Sequence, residues 1–274
     1  MIGPERRRGT SYQLMILMRG GHRHATKDDA VLGSDVALVS EPGSSDKSHK
    51  LAQSTARAGA VAALLLILAT TTTITTAMAL KFGTNNLFVW PSFALHPMMM
   101  TLAFVLLAPL ALLSYRGAED MLGLTHGTAK AMHAVLLGAA SACGVIGVLD
   151  MWIVHEIGAA AQINNHWSVH FQSLHSYLGS LALVSFLIQW LAGFAIFALP
   201  RSSPDVRRAF RPIHVIGGAS AVSFSFFAVQ TGMLSLAGRD DNTQPVPLLF
   251  KSSALLLALL IPTMAIVFSY TRTR

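Results

Sequence analysis

Six long apolar runs, separated by short polar connections, dominate the chain beyond residue 57. They cover residues 58–80, 92–115, 129–154, 173–199, 212–237 and 246–270. Each has about 20 residues or more, enough for an α-helix to cross about 30 Å of hydrocarbon. None alternates with the two-residue period of a barrel strand, and no solenoid-like period repeats. The pattern predicts an all-α membrane protein, a six-transmembrane-helix bundle. The threonine run 70–76 weakens the first span, but threonine hydroxyls can bond back to helix carbonyls in lipid. Pro109 and Pro262 fall inside the second and sixth spans, where membrane helices accept a kink. Residues 1–56 read differently. They are polar, rich in Gly, Ser and Asp, and lack a sustained hydrophobic period. The expectation is a disordered tail over 1–56 ahead of a membrane domain over 57–271. The apolar piece 14–18 is too brief for a signal-peptide core and has no small-residue cleavage site behind it.

Composition sharpens this reading. Hydrophobic residues make up 53% of the 274 and charged residues 12%, where a soluble domain carries about 25% charge. A soluble enzyme, a disordered chain and a fibrous protein are thereby excluded. The net charge of +7 reads as topology and not as nucleic-acid binding, since most of the chain belongs in the lipid bilayer. With six spans, both tails share a side with the 2–3 and 4–5 connections, and 17 of the 20 Lys and Arg fall there. Only Lys81, Arg239 and Lys251 fall on the other side. The excess of basic residues predicts cytosolic N- and C-termini. A single cysteine, Cys143, allows no intrachain disulfide and no thiolate zinc or iron–sulfur site.

Ionisable residues inside spans are rare and functional by default. Four consecutive spans each carry one histidine near their first turn: His96, His133, His175 and His214. A lone buried histidine commonly just bonds a neighbouring helix; four at matching depth are not independent accidents. Consecutive spans alternate direction. His96 and His175 therefore fall at outer depth, His133 and His214 at cytosolic depth. Paired neutral imidazoles on facing helices suit a low-spin haem iron held from both faces. No carboxylate accompanies the pairs at ligand spacing, which argues against zinc or di-iron. The face of three of the histidines continues largely in small residues: Ala140, Gly144 and Gly147 after His133, Gly179 and Ala182 after His175, and Gly218, Ala221, Ser225, Ala228 and Gly232 after His214. Such faces admit a bulky planar cofactor, or simply close helix packing.

These residues resemble the eukaryotic cytochrome b561 family. The matching strings are HPMMM at 96–100, KAMH at 130–133, SLHSYLG at 173–179, IQWLAGF at 188–194, Pro200 and RRAFRPIHVIGG at 207–218. The resemblance implies two haem b groups, the outer one on the iron ligands His96 and His175 and the cytosolic one on His133 and His214. It further implies transmembrane electron transfer from cytosolic ascorbate to an outer acceptor, monodehydroascorbate or a ferric chelate, in a plasma or endomembrane vesicle membrane. Basic residues near the inner haem hold the anionic donor in this family. Lys130 and Arg207 occupy comparable positions, Arg207 in the loop entering the fifth span, and Arg116 is a further candidate. Such a cluster eases the approach of an ascorbate monoanion, although plain topology signalling accounts for the same charges.

On the outer side the family has His-Asn at the end of the third span and Asn-Phe-Tyr before Ser-Leu-His. His155 matches as a substrate-site residue, while Glu156 and the His-Phe-Gln at 170–172 depart. His126 and His166 read as loop residues without a role. Asp150 reads as a proton-linked group or a helix-end residue. The other classes the sequence allows are a histidine-lined proton or metal-ion transporter and a haem-binding sensor without turnover. A transporter would more often show broken helices, repeated halves and a midplane site. The sequence leaves formation of a homodimer open.

Overall fold

The computed structural model describes residues 44–161, 170–199, 202–238 and 245–270. Six of its helices are long and apolar enough to cross a membrane, matching the six runs. The first span belongs to α1 (Ser44–Phe82). The second is made of α2 (Leu95–Met100), a π-helical stretch over Thr101–Leu107, and α3 (Ala108–Leu122). The third is α4 (His126–Ala161), and the fourth is α5 (Leu174–Gly193) with a π-helical end over Phe194–Ala198. The fifth is α6 (Pro204–Gly238) and the sixth α7 (Val246–Tyr270).

The boundaries differ from the hydropathy reading in instructive ways. Helix α1 starts at Ser44 and so runs through the last residues of the expected tail. Ser44, Ser45 and Asp46 are residue types that favour a helix start, and hydropathy does not register them. The rest of the tail lies outside the described residues, as do His166, Pro200 and Arg239. His126, expected in a loop, is the first residue of α4. Thr125 caps that end: its Oγ1 accepts the Thr128 N–H at 3.2 Å. The fifth span begins at Pro204 and not at Pro212. Proline at a helix start sacrifices no bonded N–H, and the Ser203 hydroxyl accepts the Val206 N–H. Arg207 therefore sits in the first turn of α6 and not in a loop.

The expected threonine bonds are present. Thr70 donates to Leu66 O at 2.7 Å, Thr73 to Ala69 O at 2.8 Å and Thr75 to Thr71 O at 2.9 Å. Proline lacks an N–H and its ring clashes with the carbonyl four residues back. In the second span the wider π turns lie just ahead of Pro109 and absorb that mismatch. Helix α1 stops where Gly83 turns to a φ of 80°, a conformation open to glycine, and its N–H closes on Ala79 O at 2.9 Å.

The spans form two antiparallel hairpins, the second with the third and the fourth with the fifth. Residue pairings fix the direction: His96 meets Gly147 and Ala111 meets His133 in the first hairpin. His175 meets Ala228, and Gly193 lies against His214, in the second. Phe104 and Phe186 cross between the hairpins edge to face at 5.3 Å. The first and sixth spans pack through Gly59 and Val267. Ile67, Ile74, Met78, Phe250, Leu257 and Leu260 are fully buried there. The outward faces carry exposed Leu65, Leu68, Val135, Ile188, Ile216 and Leu255, a surface suited to lipid and not to water.

In lipid the gain from burial is packing rather than exclusion of water. Phe250→Ala empties a fully enclosed site and is expected to cost about 3 kcal/mol or more. Reversible unfolding of the purified protein in mixed micelles measures it, with Leu255→Ala on the lipid face as the control that should change little.

Candidate functional site

Three of the four histidines are fixed by the backbone of the hairpin partner. His96 Nδ1 lies 2.8 Å from Gly147 O, His133 Nδ1 3.0 Å from Ala111 O, and His175 Nδ1 2.8 Å from Ala228 O. A carbonyl only accepts, so Nδ1 of these three carries the proton and Nε2 keeps its lone pair. That is the arrangement in which an imidazole serves as an oriented metal ligand. His214 Nδ1 is buried with no hydrogen-bond partner; packing fixes this ring instead. A Cβ on Gly193 would come 2.6 Å from His214 Cε1, and one on Gly232 2.9 Å from His175 Cε1. Glycine at these two positions lets α5 and α6 approach closely enough to grip each other's histidine.

Histidines fixed within hairpins meet across them. His96 of α2 and His175 of α5 have ring centres 6.1 Å apart, with planes at 88°. That spacing leaves room for one metal atom between two nitrogens, at bonds of about 2 Å each. Both rings line a cavity of about 430 Å³, within the usual range for a ligand pocket. Its walls include Phe104, Gly179, Ser225, Ala228 and Gly232. The small-residue face that follows His214 along α6 thus borders the site of the opposite pair. Among the described residues no three His, Cys, Asp or Glu side chains gather as a metal site. Two imidazoles and a glycine-lined cavity therefore fit a metal that arrives with its own macrocycle, and a haem meets that description.

At the other end stand His133 of α4 and His214 of α6. Tyr115 lies 5.1 Å from the His133 ring, and Phe197 lies 5.2 Å from that of His214. Trp190 holds α5 to α4: its indole N–H donates to Ala134 O at 3.0 Å and its ring covers Gly138. Lys130 is half-buried one turn before His133. Arg207 is half-buried too, and its Nε is enclosed without a hydrogen-bond partner. Arg208 instead points to water and pairs loosely with Asp205 at 3.7 Å. The Arg116 backbone continues α3, and its side chain lies outside the described residues.

At the mouth of the 430 Å³ cavity, His155 is joined by His170. The His170 ring stacks on Trp152 at 4.0 Å and 11°, lies 5.4 Å from His155, and its Nε2 is 2.8 Å from the Glu156 carboxylate. The two positions that depart from the family strings thus interact with each other. Sequence spacing gave no signal for this, because a helix end and a separate loop supply the partners. Gln189 was passed over as well. Its amide lies against Gly217 of α6, with Oε1 buried and unpartnered.

Comparison with known proteins gives the same reading. The chain is 34% identical over 151 residues to a lysosomal membrane ascorbate-dependent ferrireductase of Mus musculus, a match covering 55% of this chain and 57% of that protein. The corresponding Homo sapiens protein is 32% identical over 151 residues, again 55% and 57% of the two chains. A probable ascorbate-specific transmembrane electron transporter of Oryza sativa subsp. japonica is 28% identical over 179 residues, 65% of this chain and 70% of that one. The chain thus spans little more than half the length of the mammalian relatives. Residues 95–237 match the family described as eukaryotic cytochrome b561. These residues hold the four histidines and all of both hairpins, and the chain belongs to the eukaryotic cytochrome b561 family.

Proposed function

We propose that this protein carries electrons across its membrane through two b-type haems, from cytosolic ascorbate to monodehydroascorbate or a ferric chelate on the other side. The family implies b-type haem, and the relatives are named for ascorbate-dependent ferrireduction and ascorbate-specific transmembrane electron transport. The observation that carries the reading is the His96–His175 pair. Two rings stand 6.1 Å apart in one cavity, each with Nδ1 tied to a carbonyl and Nε2 available.

In this reading His96 and His175 hold the outer haem, and His133 and His214 hold the cytosolic one. When bound, each haem supplies a one-electron redox centre. The chain's own residues do the rest. The carbonyls of Gly147, Ala111 and Ala228 fix imidazole tautomer and orientation. Phe104, Phe186 and the apolar walls keep water from the space between the two sites. Lys130 and Arg207 draw an anionic donor to the cytosolic mouth, with Arg116 near them in sequence order at the end of the second span. At the outer mouth His155 meets the acceptor, with His170 held beside it by Glu156 and Trp152. The basic excess on the loops of one side gives both termini to the cytosol.

Three outcomes follow. The purified protein is expected to hold two haems per chain and to be reduced by ascorbate, read from its visible spectrum and haem-to-protein ratio. His175→Ala should remove one haem and spare most of the other, and a ratio near one in the unmodified protein defeats the scheme. Lys130→Ala and Arg207→Ala should each weaken apparent ascorbate affinity about ten-fold or more, since a charge-assisted bond contributes about 1.5–3 kcal/mol. Stopped-flow reduction should also become less salt-sensitive, with haem content unchanged; unaltered kinetics in both would leave these residues as topology signals. In sealed vesicles of known sidedness, an epitope fused at the N-terminus should be reached by protease from the cytosolic face only.

A further inference from the structure

The ionisable side chain with the least exposed surface among the described residues lies beside the cavity and is not part of its wall. Asp150 of α4 is 0% exposed. The cavity wall beside it is Val148, Met151 and Trp152. Its Oδ1 accepts the Ser92 N–H at 3.0 Å, while Oδ2 is buried with no hydrogen-bond partner. A carboxylate enclosed in a membrane bundle is costly and calls for a reason. Helix-end solvation does not supply one, because the side chain exposes no surface.

Its partner is informative. Ser92 stands at the entry to the second span, and its hydroxyl accepts the Leu95 N–H at 3.3 Å. The same N–H also lies 3.1 Å from Ser92 O, so Ser92 closes the turn that leads into α2. The N–H of Ser92 itself would be left over, and Asp150 takes it. His96 follows Leu95 directly, in the first turn of α2. Three residues before Asp150, on the same face of α4, Gly147 O receives the His96 Nδ1–H at 2.8 Å. Helix α4 therefore holds this histidine at two points one turn apart, the main chain through Asp150 and Ser92, and the ring through Gly147.

We infer that Asp150 is a positioning residue: by anchoring Ser92 it fixes the helix start that carries His96, and together with Gly147 it sets the plane of the His96 imidazole in the cavity. Asp150 acts through His96 and touches neither haem nor acceptor. His175 is anchored differently: besides Ala228 O, its Nδ1 has the Thr231 hydroxyl at 3.4 Å. Its helix is capped within its own chain segment by Ser173, which accepts the Ser176 N–H. The two sides of the outer site are thus oriented by different means, the His96 side through a buried carboxyl group.

The inference rests on His96 and His175 holding the outer haem, and its test separates the two ideas. The full-length, haem-loaded protein is examined by electron paramagnetic resonance in the oxidised state. His175→Ala first identifies which low-spin signal belongs to the outer haem. If that variant loses neither signal, or the unmodified protein shows only one, the functional reading fails and the inference falls with it. Next, Asp150→Leu removes the acceptor for Ser92, and Asp150→Asn keeps a carbonyl oxygen there. The expected result is full haem content in both. In the leucine variant the outer signal moves in g value while the inner one stays, and the asparagine variant keeps both signals near their original positions. Unmoved signals in the leucine variant with full haem overturn the proposal. Equal loss of both haems in both variants also overturns it, because Asp150 would then serve folding alone. Should Asp150→Leu not accumulate in the membrane, Asp150→Ala is read by the same criteria.

Discussion

The hydrogen bond from an imidazole Nδ1 to a carbonyl on the neighbouring helix is the interaction on which the rest of this protein depends. It satisfies a polar group where no water is available, fixes the tautomer, and leaves Nε2 facing the space between hairpins. The second and third spans exchange such bonds reciprocally, His96 to Gly147 and His133 to Ala111. The fourth and fifth spans make a similar exchange. His175 bonds to Ala228, and His214 is gripped against Gly193. Each hairpin thus presents two oriented imidazoles, one at each end, and the bundle brings the hairpins face to face.

This construction explains the distribution of small residues. A ring that must bond to the backbone of the next helix needs that backbone close. Gly147, Gly193 and Gly232 stand where a side chain would collide with a histidine or its neighbours. Elsewhere small residues have a different use: Gly179, Ser225 and Ala228 leave the volume of the cavity. One stripe on α6 therefore combines close helix packing with a cavity wall, two readings that its sequence alone leaves equivalent. Large residues fill what remains, with Phe104 against Phe186 between the two sites and Trp190 over Gly138 beside His133.

The two mouths differ in chemistry. The end near His133 carries Lys130 and Arg207, one cation on each hairpin and both half-buried. Around the other mouth the described lining includes His155 and His170, without Lys or Arg. The His170 imidazole there is ordered by stacking and by Glu156.

Much was legible in the sequence because membrane insertion is governed by local composition. Length and hydropathy set six spans, basic residues set the expected orientation, and chain direction alone sorted four histidines into two depths. The family strings carried the likeness. Other features depend on residues distant in the chain. Helix starts at Ser44, His126 and Pro204 rest on capping, which hydropathy does not register, and this moved Arg207 from a loop into a helix. The free nitrogen of each imidazole depends on which carbonyl lies opposite, a matter of helix register and rotation. The pairing of Asp150 with Ser92, 58 residues away, and of His170 with Glu156 and Trp152, follows from how one helix end meets another segment in space. Sequence by itself determined which groups enter the membrane and at what depth, since transfer into lipid is set residue by residue. Tertiary structure alone decided which of them touch, since contact is fixed by packing between helices.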